Sequence, residues 1–344
     1  MLGCITGFTY WEKDFNAEKQ LPSDIDQLVL NDTSFQLVFQ DLNARFRQLT
    51  IDPNHRFFPK LSDLKVLRPD SLAAIVMTQA LLSDLNIAPK EREEMMLLVA
   101  NSNFIDDNVL DFVGMSKDIE NIQKADSDEE KNRILGSGIS PLIPLRTLTN
   151  GSESFIAQYT HILGENTTYG STAMATAHAL SDACSFIKIG AASTALVGGT
   201  NYANLFSLLN NYLVIEHRDG YSESSASSFV MVETEASAKS ANRDILAVIA
   251  QIHFNQELPN HRSYDWLFFG GAFTDEGQTH LVQKMEKIVS NKRFSWFPYT
   301  GNMGCADLVM MISASLTWML PEQNALIYLE DIYGQYVTLI LEKR

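Results

Sequence analysis

The feature that most constrains this fold is a sequence of segments that occurs twice along the chain. Residues 167–199 contain a strand end, a tight turn, a long apolar helix and a buried strand. In the second part, residues 264–271 form a strand ending in glycines, and residues 301–320 form a glycine turn leading into an apolar helix, with two strands after it. Strands that alternate with helices predict a layered α/β fold, here built from two similar halves.

The boundary between the halves is predicted in the small, polar segment "ASAKSANRD", residues 236–244. We therefore expect an N-terminal half over residues 1–240 and a C-terminal half over residues 241–344. The second half is shorter, and the shortening is expected between His253 and Asp265.

The charge balance excludes several classes of partner. Lys and Arg number 26 against 42 Asp and Glu, which gives a net charge of −16. Nucleic acids and anionic membranes require a positive surface, so neither is expected to bind. The longest dense apolar stretch, Leu308–Leu320, is too short to span a bilayer, and no basic and apolar leader is evident. We expect a cytoplasmic protein.

No cofactor or metal site is predicted. Cys4, Cys184 and Cys305 are widely spaced and form neither a disulfide framework nor a zinc pattern, and no histidine pair has metal-ligand spacing. Gly198-Gly199 lacks the rest of a phosphate-binding fingerprint and is interpreted as an ordinary tight turn. His178, inside the apolar helix, is expected to be a core histidine.

The turn in "TTYGSTAMATAHAL", residues 167–180, has an unusual content. A strand–turn–helix of this kind points one side chain at the helix N-terminus, where a thiol or hydroxyl is activated. The residue expected there is Ala173, which has no reactive group.

The order of the motifs resembles that of β-ketoacyl synthases of the thiolase fold. The segment "STAMATAHALSDACSFIKIGAASTALVGGT" is similar to the family's nucleophile region, and Gly190 follows Ala173 by the seventeen positions that the resemblance requires. The family's Pro-containing loop before an asparagine is resembled by "ISPLIPLRTLTNG", where the asparagine is Asn150. Its Arg-Asp-Gly run, which leads into a strand ending in glutamate, is resembled by "RDGYSESSASSFVMVE", where the glutamate is Glu233. "YDWLFFGGAF", "YTGNMGCADLVMMISA" and "YVTLILEK" resemble the two histidine segments and the last strand.

The departures from this family include its three catalytic positions. The nucleophilic cysteine falls at Ala173, the first catalytic histidine at Gly270 and the second at Asn302. The family's acidic residue after the Arg-Asp-Gly run is replaced by Ser225, and its glycine-rich gating loop is replaced by "EDIYGQ", residues 330–335. Without the thiol no acyl-enzyme forms, and without the imidazoles the developing enolate loses its usual donors.

The resemblance therefore implies a non-catalytic chain-length factor, most similar to the partner subunit of aryl polyene or type II polyketide ketosynthases. Such a subunit forms a heterodimer with an active ketosynthase and shapes its acyl tunnel. By the same resemblance, Phe104, Leu142 and Ile143 are candidate tunnel-lining residues. An acidic acyl carrier protein is expected to dock mainly on the catalytic partner, because this chain is itself acidic.

Two other functions remain open at this point. One is a divergent acyltransferase or hydrolase that uses Cys305, Ser171 or Thr172, with Cys305 close to a helix N-terminus that would lower its pKa. The other is a free-standing protein that binds an acyl chain.

Overall fold

A computed structural model of the chain describes residues 2–12, 46–47, 56–102, 119–138, 148, 150–170, 172–203, 223–256, 262–271 and 275–344. The strands in these ranges are β1 Gly3–Glu12, β2 Phe46–Arg47, β3 Met96–Asn101, β4 Asn166–Gly170, β5 Thr194–Asn201, β6 Glu223–Ser224, β7 Ala226–Glu233, β8 Ala247–Phe254, β9 Tyr264–Gly270, β10 Ser290–Ser295, β11 Asn324–Glu330 and β12 Tyr336–Lys343. The α-helices are α1 Pro69–Asp84, α2 Pro89–Glu94, α3 Asp128–Gly138, α4 Gly151–Thr160, α5 Ala173–Lys188, α6 Glu235–Ser240, α7 Asp275–Glu286, α8 Phe297–Thr300 and α9 Asp307–Trp318. Short 3₁₀ helices occupy Asp63–Lys65 and Gly304–Ala306.

The large sheet has the strand order β10-β9-β11-β12-β8-β1-β7-β5-β3-β4. From either edge of the sheet toward its centre, the first two strand pairs are parallel and the next two are antiparallel. The halves join where β1 pairs antiparallel with β8. This matching topology confirms the fold of two similar halves that the repeated segments predict.

The helices complete a five-layer arrangement. Helices α5 and α9 contact strands of both halves and form the middle layer. Helices α1 and α4 cover the outer face of the first half, where they pack with Leu97 and Val99 of β3. Helix α7 covers the outer face of the second half, with Leu281 and Met285 in the same apolar cluster as Leu267 of β9.

Strand residues alternate between these layers. In β3, Met96 and Leu98 face the central cluster, whereas Leu97 faces α1. A strand covered on both faces has no polar side, which explains the continuous apolar run of β3. Helix α5 ends as expected, because Gly190 follows it with a φ of +75°, a conformation that glycine adopts at no steric cost.

Two expectations about individual residues are wrong. His178 is exposed on the outer side of α5 and stacks on Phe254, with ring centroids 4.3 Å apart. Gly198 and Gly199 lie inside β5 and form no turn. A Cβ on Gly199 would lie 1.9 Å from the carbonyl oxygen of Cys305, so glycine is needed there for close approach of two backbones.

No helix in the described ranges is long and apolar enough to cross a bilayer.

Candidate functional site

Helix α5 begins at the predicted residue. Thr172 is the N-cap of α5, and its hydroxyl accepts a hydrogen bond from the Met174 amide at 3.3 Å. Ala173 is the first helical residue, and its side chain is 4% exposed. The helix N-terminus therefore has the position and electrostatic character of a nucleophile site, but it presents only a methyl group.

A second turn, residues 331–335, is hydrogen-bonded to this helix start. The Asp331 side chain is 5% exposed and accepts a hydrogen bond from the Thr172 hydroxyl at 2.7 Å. Its other carboxylate oxygen accepts from the amides of Tyr333 and Gln335, both at 2.9 Å. A carboxylate held by three donors thus lies beside the N-cap of α5, in the segment that sequence reasoning compared with a gating loop.

The space at Gly270 is filled. Gly270 ends β9 and pairs with Leu329 of β11. A Cβ built on it would lie 3.3 Å from the side chains of Leu329 and Trp296 and 3.6 Å from the sulfur of Met311. An imidazole at this position would have to displace packed core side chains.

Asn302 has a structural role in its turn. It is 8% exposed, and its side-chain oxygen accepts a hydrogen bond from the Gly304 amide at 2.9 Å. Its backbone carbonyl accepts from the Ser224 amide at 3.0 Å. The side chain thus stabilises the 3₁₀ turn before α9.

Cys305 does not have the activated thiol that its position suggested. The residue is fully buried, and its thiol donates to the Thr172 carbonyl at 3.1 Å. Burial raises the pKa of the Cys305 thiol to about 12. Desolvation outweighs the nearby helix start, so the expectation of a lowered pKa is wrong.

An open groove of about 570 Å³ runs beside the start of α5. Its described lining residues are Tyr169, Gly170, Thr172, Met174, Ala175, His178, Asp182, Asp331, Tyr333 and Gln335. The Tyr169 hydroxyl donates to Asp182 at 2.7 Å. Burial and the carboxylates of Asp182 and Glu165 raise the pKa of the Tyr169 phenol, so it remains a neutral donor at physiological pH.

The structure brings several of the predicted residues into one region. Thr172 contacts both Asp331 and Cys305, and Asp331 lies two residues after Leu329, the partner of Gly270. Phe104, Leu142, Ile143 and Ser171 lie outside the described residues.

Sequence reasoning missed Asp331, Tyr169 and Asp182 as residues of this region. The altered gating-loop segment was the one signal that pointed to Asp331. Within the described ranges, no group of three or more His, Cys, Asp or Glu side chains could hold a metal ion.

Comparison with known proteins gives structural matches only. No family model and no curated protein sequence matches the chain. A chain of the AntDE:AntF complex, a type II PKS acyl-carrier protein in complex with its ketosynthase bound to the hexaketide, matches with a TM-score of 0.71, 14% identity and 99% of each chain covered.

Two further ketosynthase structures are similar. The oxazolomycin ketosynthase domain OzmH KS7 of Streptomyces albus JA3453 has a TM-score of 0.62 and 14% identity, covering 84% of this chain and 62% of that one. A β-ketoacyl synthase from Burkholderia phymatum STM815 has a TM-score of 0.63 and 11% identity, covering 86% of each chain. The chain therefore has the thiolase-like ketosynthase fold.

Proposed function

We propose that this chain is a non-catalytic chain-length-factor subunit. In this role it forms a heterodimer with an active β-ketoacyl synthase and shapes the tunnel for a growing carrier-bound chain, as in aryl polyene or other type II polyketide systems. The observation that carries the proposal is the content of the three catalytic positions, Ala173, Gly270 and Asn302. Packing at Gly270 supports it, because the space for an imidazole is taken by core side chains.

The two edges of the sheet support a partner at β4. Strand β10 exposes Asn291, Lys292 and Arg293 at one edge, and charged side chains discourage pairing with another strand. Strand β4, at the opposite edge, has the sequence "NTTYG" and no charge. An uncharged edge strand in the described part of the chain is suited to pairing with a strand of the ketosynthase.

The competing enzymatic function has little support at Cys305. A thiol with a pKa of about 12 is almost wholly protonated at neutral pH, and the thiolate is the nucleophile. The hydroxyl of Thr172 donates to Asp331, whose other carboxylate oxygen is held by two backbone amides, and the two positions that the resemblance assigns to histidines are Gly270 and Asn302, so neither supplies an imidazole base.

Co-expression with candidate ketosynthases that keep their cysteine tests the proposal. We expect a stable complex on size-exclusion chromatography, with an interface above about 2,000 Å². The complex should elongate a carrier-bound primer, whereas this chain alone should neither elongate it nor form an acyl adduct in mass spectrometry. A stable monomer that binds none of the ketosynthases, or an acyl adduct on this chain, would refute the proposal.

Tunnel shaping has its own test in the residues implied by the family resemblance. In a complex that stays intact, Phe104→Ala should shift products to longer chains, by roughly one or two two-carbon units, because it removes a large side chain from the tunnel wall. Ile143→Phe should shift them to shorter ones. An unchanged product distribution in both variants would remove these residues from the tunnel.

A further inference from the structure

The carboxylates near the β4 edge form an acidic surface beside the groove. The groove lining includes Asp182 and Asp331 and, among its described residues, no lysine or arginine. Glu165, just before β4, lies close enough to act electrostatically on the Tyr169 phenol together with Asp182. His178 is the one other titratable side chain here besides the tyrosines.

We propose that this groove receives an arginine or lysine side chain of the partner subunit, so that the β4 surface binds a basic partner chain in preference to a second copy of this chain. This rests on the heterodimer proposed above and adds the chemistry by which the partner is recognised.

Asp182 is the carboxylate in position to make this contact. Both oxygens of Asp331 are already engaged, and its side chain is buried. Asp182 is exposed and, among the described residues, accepts one hydrogen bond, from Tyr169, which lies beside it in the groove lining. An ionised carboxylate has capacity for about four such bonds, so it can still receive a guanidinium or ammonium group.

A tyrosine that lines the groove suits the same ligand. The Tyr333 side chain is 60% exposed, and its ring offers a face on which a guanidinium can stack. Tyr169 itself belongs to β4, which is five residues or about 17 Å long. Any strand that pairs along β4 therefore lies beside the groove.

A second copy would bring like charges together. Two copies pairing through β4 would be related by a two-fold axis, with the same patch on each side. The short strand would then place both Asp182 and both Glu165 side chains close to the axis. Such juxtaposition of like charges suppresses association, and the net charge of −16 adds to it.

The test compares three variants of the full chain for binding to the ketosynthase partner. Asp182→Lys should weaken the complex by about a hundredfold and Asp182→Asn by about tenfold, because each removes the carboxylate that pairs with the partner's cation. Glu286→Lys is the control: it makes the same charge change at an exposed residue of α7, in the second half of the fold, and should alter the affinity by less than about twofold.

Self-association provides a second measurement. In sedimentation equilibrium without the ketosynthase, an equimolar mixture of wild type and Asp182→Lys should associate more tightly than the wild type alone. Asp182→Asn, which keeps the size of the side chain, covers the case in which the lysine variant fails to fold.

The outcomes separate the two proposals. If the wild-type chain binds the ketosynthase and all three variants bind equally well, the basic contact is refuted and the heterodimer stands. If the wild type forms a tight homodimer that Asp182→Asn leaves unchanged, partner selection by these carboxylates is refuted too. If no ketosynthase binds the wild type, the proposed function fails and this inference fails with it.

Discussion

Two turns at equivalent places in the two halves differ in how deeply they are buried. One leads from edge strand β4 through Thr172 into α5, and the other leads from edge strand β10 through residues 301–306 into α9. Both precede a helix of the middle layer. The first turn borders an open groove, whereas Met303, Cys305 and Ala306 of the second are fully buried.

This difference in burial indicates which of the two turns is accessible to other molecules. The second turn is fixed by the core: Asp307 accepts hydrogen bonds from the Trp296 indole at 3.2 Å and from the Met303 amide at 3.0 Å. The first turn is held through Thr172, whose hydroxyl donates to Asp331 and whose carbonyl accepts from the Cys305 thiol, and it borders the open groove. Recognition of a partner is therefore expected at the first turn, and packing at the second.

The largest expected effect concerns the thiol of the buried turn. At pH 8 a thiol of pKa about 12 is ionised in only about one molecule in ten thousand, so Cys305 should be alkylated over a thousandfold more slowly than an exposed cysteine. Mass spectrometry after iodoacetamide treatment of native and urea-unfolded protein measures this. Because Cys4 and Cys184 are also buried, unfolding should be required for labelling at all three positions. Rapid native labelling of Cys305 would show that the second turn opens.

A Cβ at Gly199 should break the contact between β5 and the second turn. The added carbon would lie 1.9 Å from a backbone oxygen, which cannot move without the whole turn. We expect Gly199→Ala to lower the free energy of unfolding by about 4 kcal/mol or to abolish folding.

Gly190→Ala is the control for Gly199→Ala. Gly190 has φ +75° and no atom within 4 Å of an added Cβ, so only the backbone conformation is penalised. That variant should lose about 1 kcal/mol. Equal losses in urea titrations of the two would contradict the close approach.

A histidine introduced at Gly270, the position that the family resemblance assigns to the first histidine, should also be costly. Gly270→His places a ring among Leu329, Trp296 and Met311 and is expected to cost about 3 kcal/mol through overpacking. Gly270→Ala should cost much less, because its single carbon meets neighbours at 3.3 Å or more. A histidine variant as stable as the wild type in thermal unfolding would mean that the site is not closed.

The smallest effect is expected at the first turn. Asp331→Ala removes the acceptor of three hydrogen bonds and should lower stability by about 2 kcal/mol, while Asp331→Asn should lower it less. The Thr172 cap would lose its link to residues 331–335, so a thiol introduced by Ala173→Cys should be alkylated faster when Asp331→Ala is also present. Unchanged alkylation would show that Asp331 does not cover this position.

Several features were predictable because they depend on neighbours in sequence. The helix start at Ala173, the helix end at Gly190 and the strand-helix alternation were confirmed, since helix ends and periodicity are local signals. The interpretation of His178 failed, because apolar neighbours on a helix do not say which face an individual residue occupies. Gly198-Gly199 was misplaced for a related reason: a glycine pair can mark a turn or a close approach within a strand.

The sequence by itself determined that Ala173 stands at the start of a helix in one of two similar halves, without a nucleophile. Only the tertiary structure decided what surrounds that position. Asp331 is 159 residues from Thr172 and Cys305 is 133 residues from it, and the folded chain brings both into contact with the turn. The start of a helix depends on residues that are close in sequence, so the sequence alone can predict it. Contacts between residues more than a hundred positions apart form only when the strand order and the layers are in place.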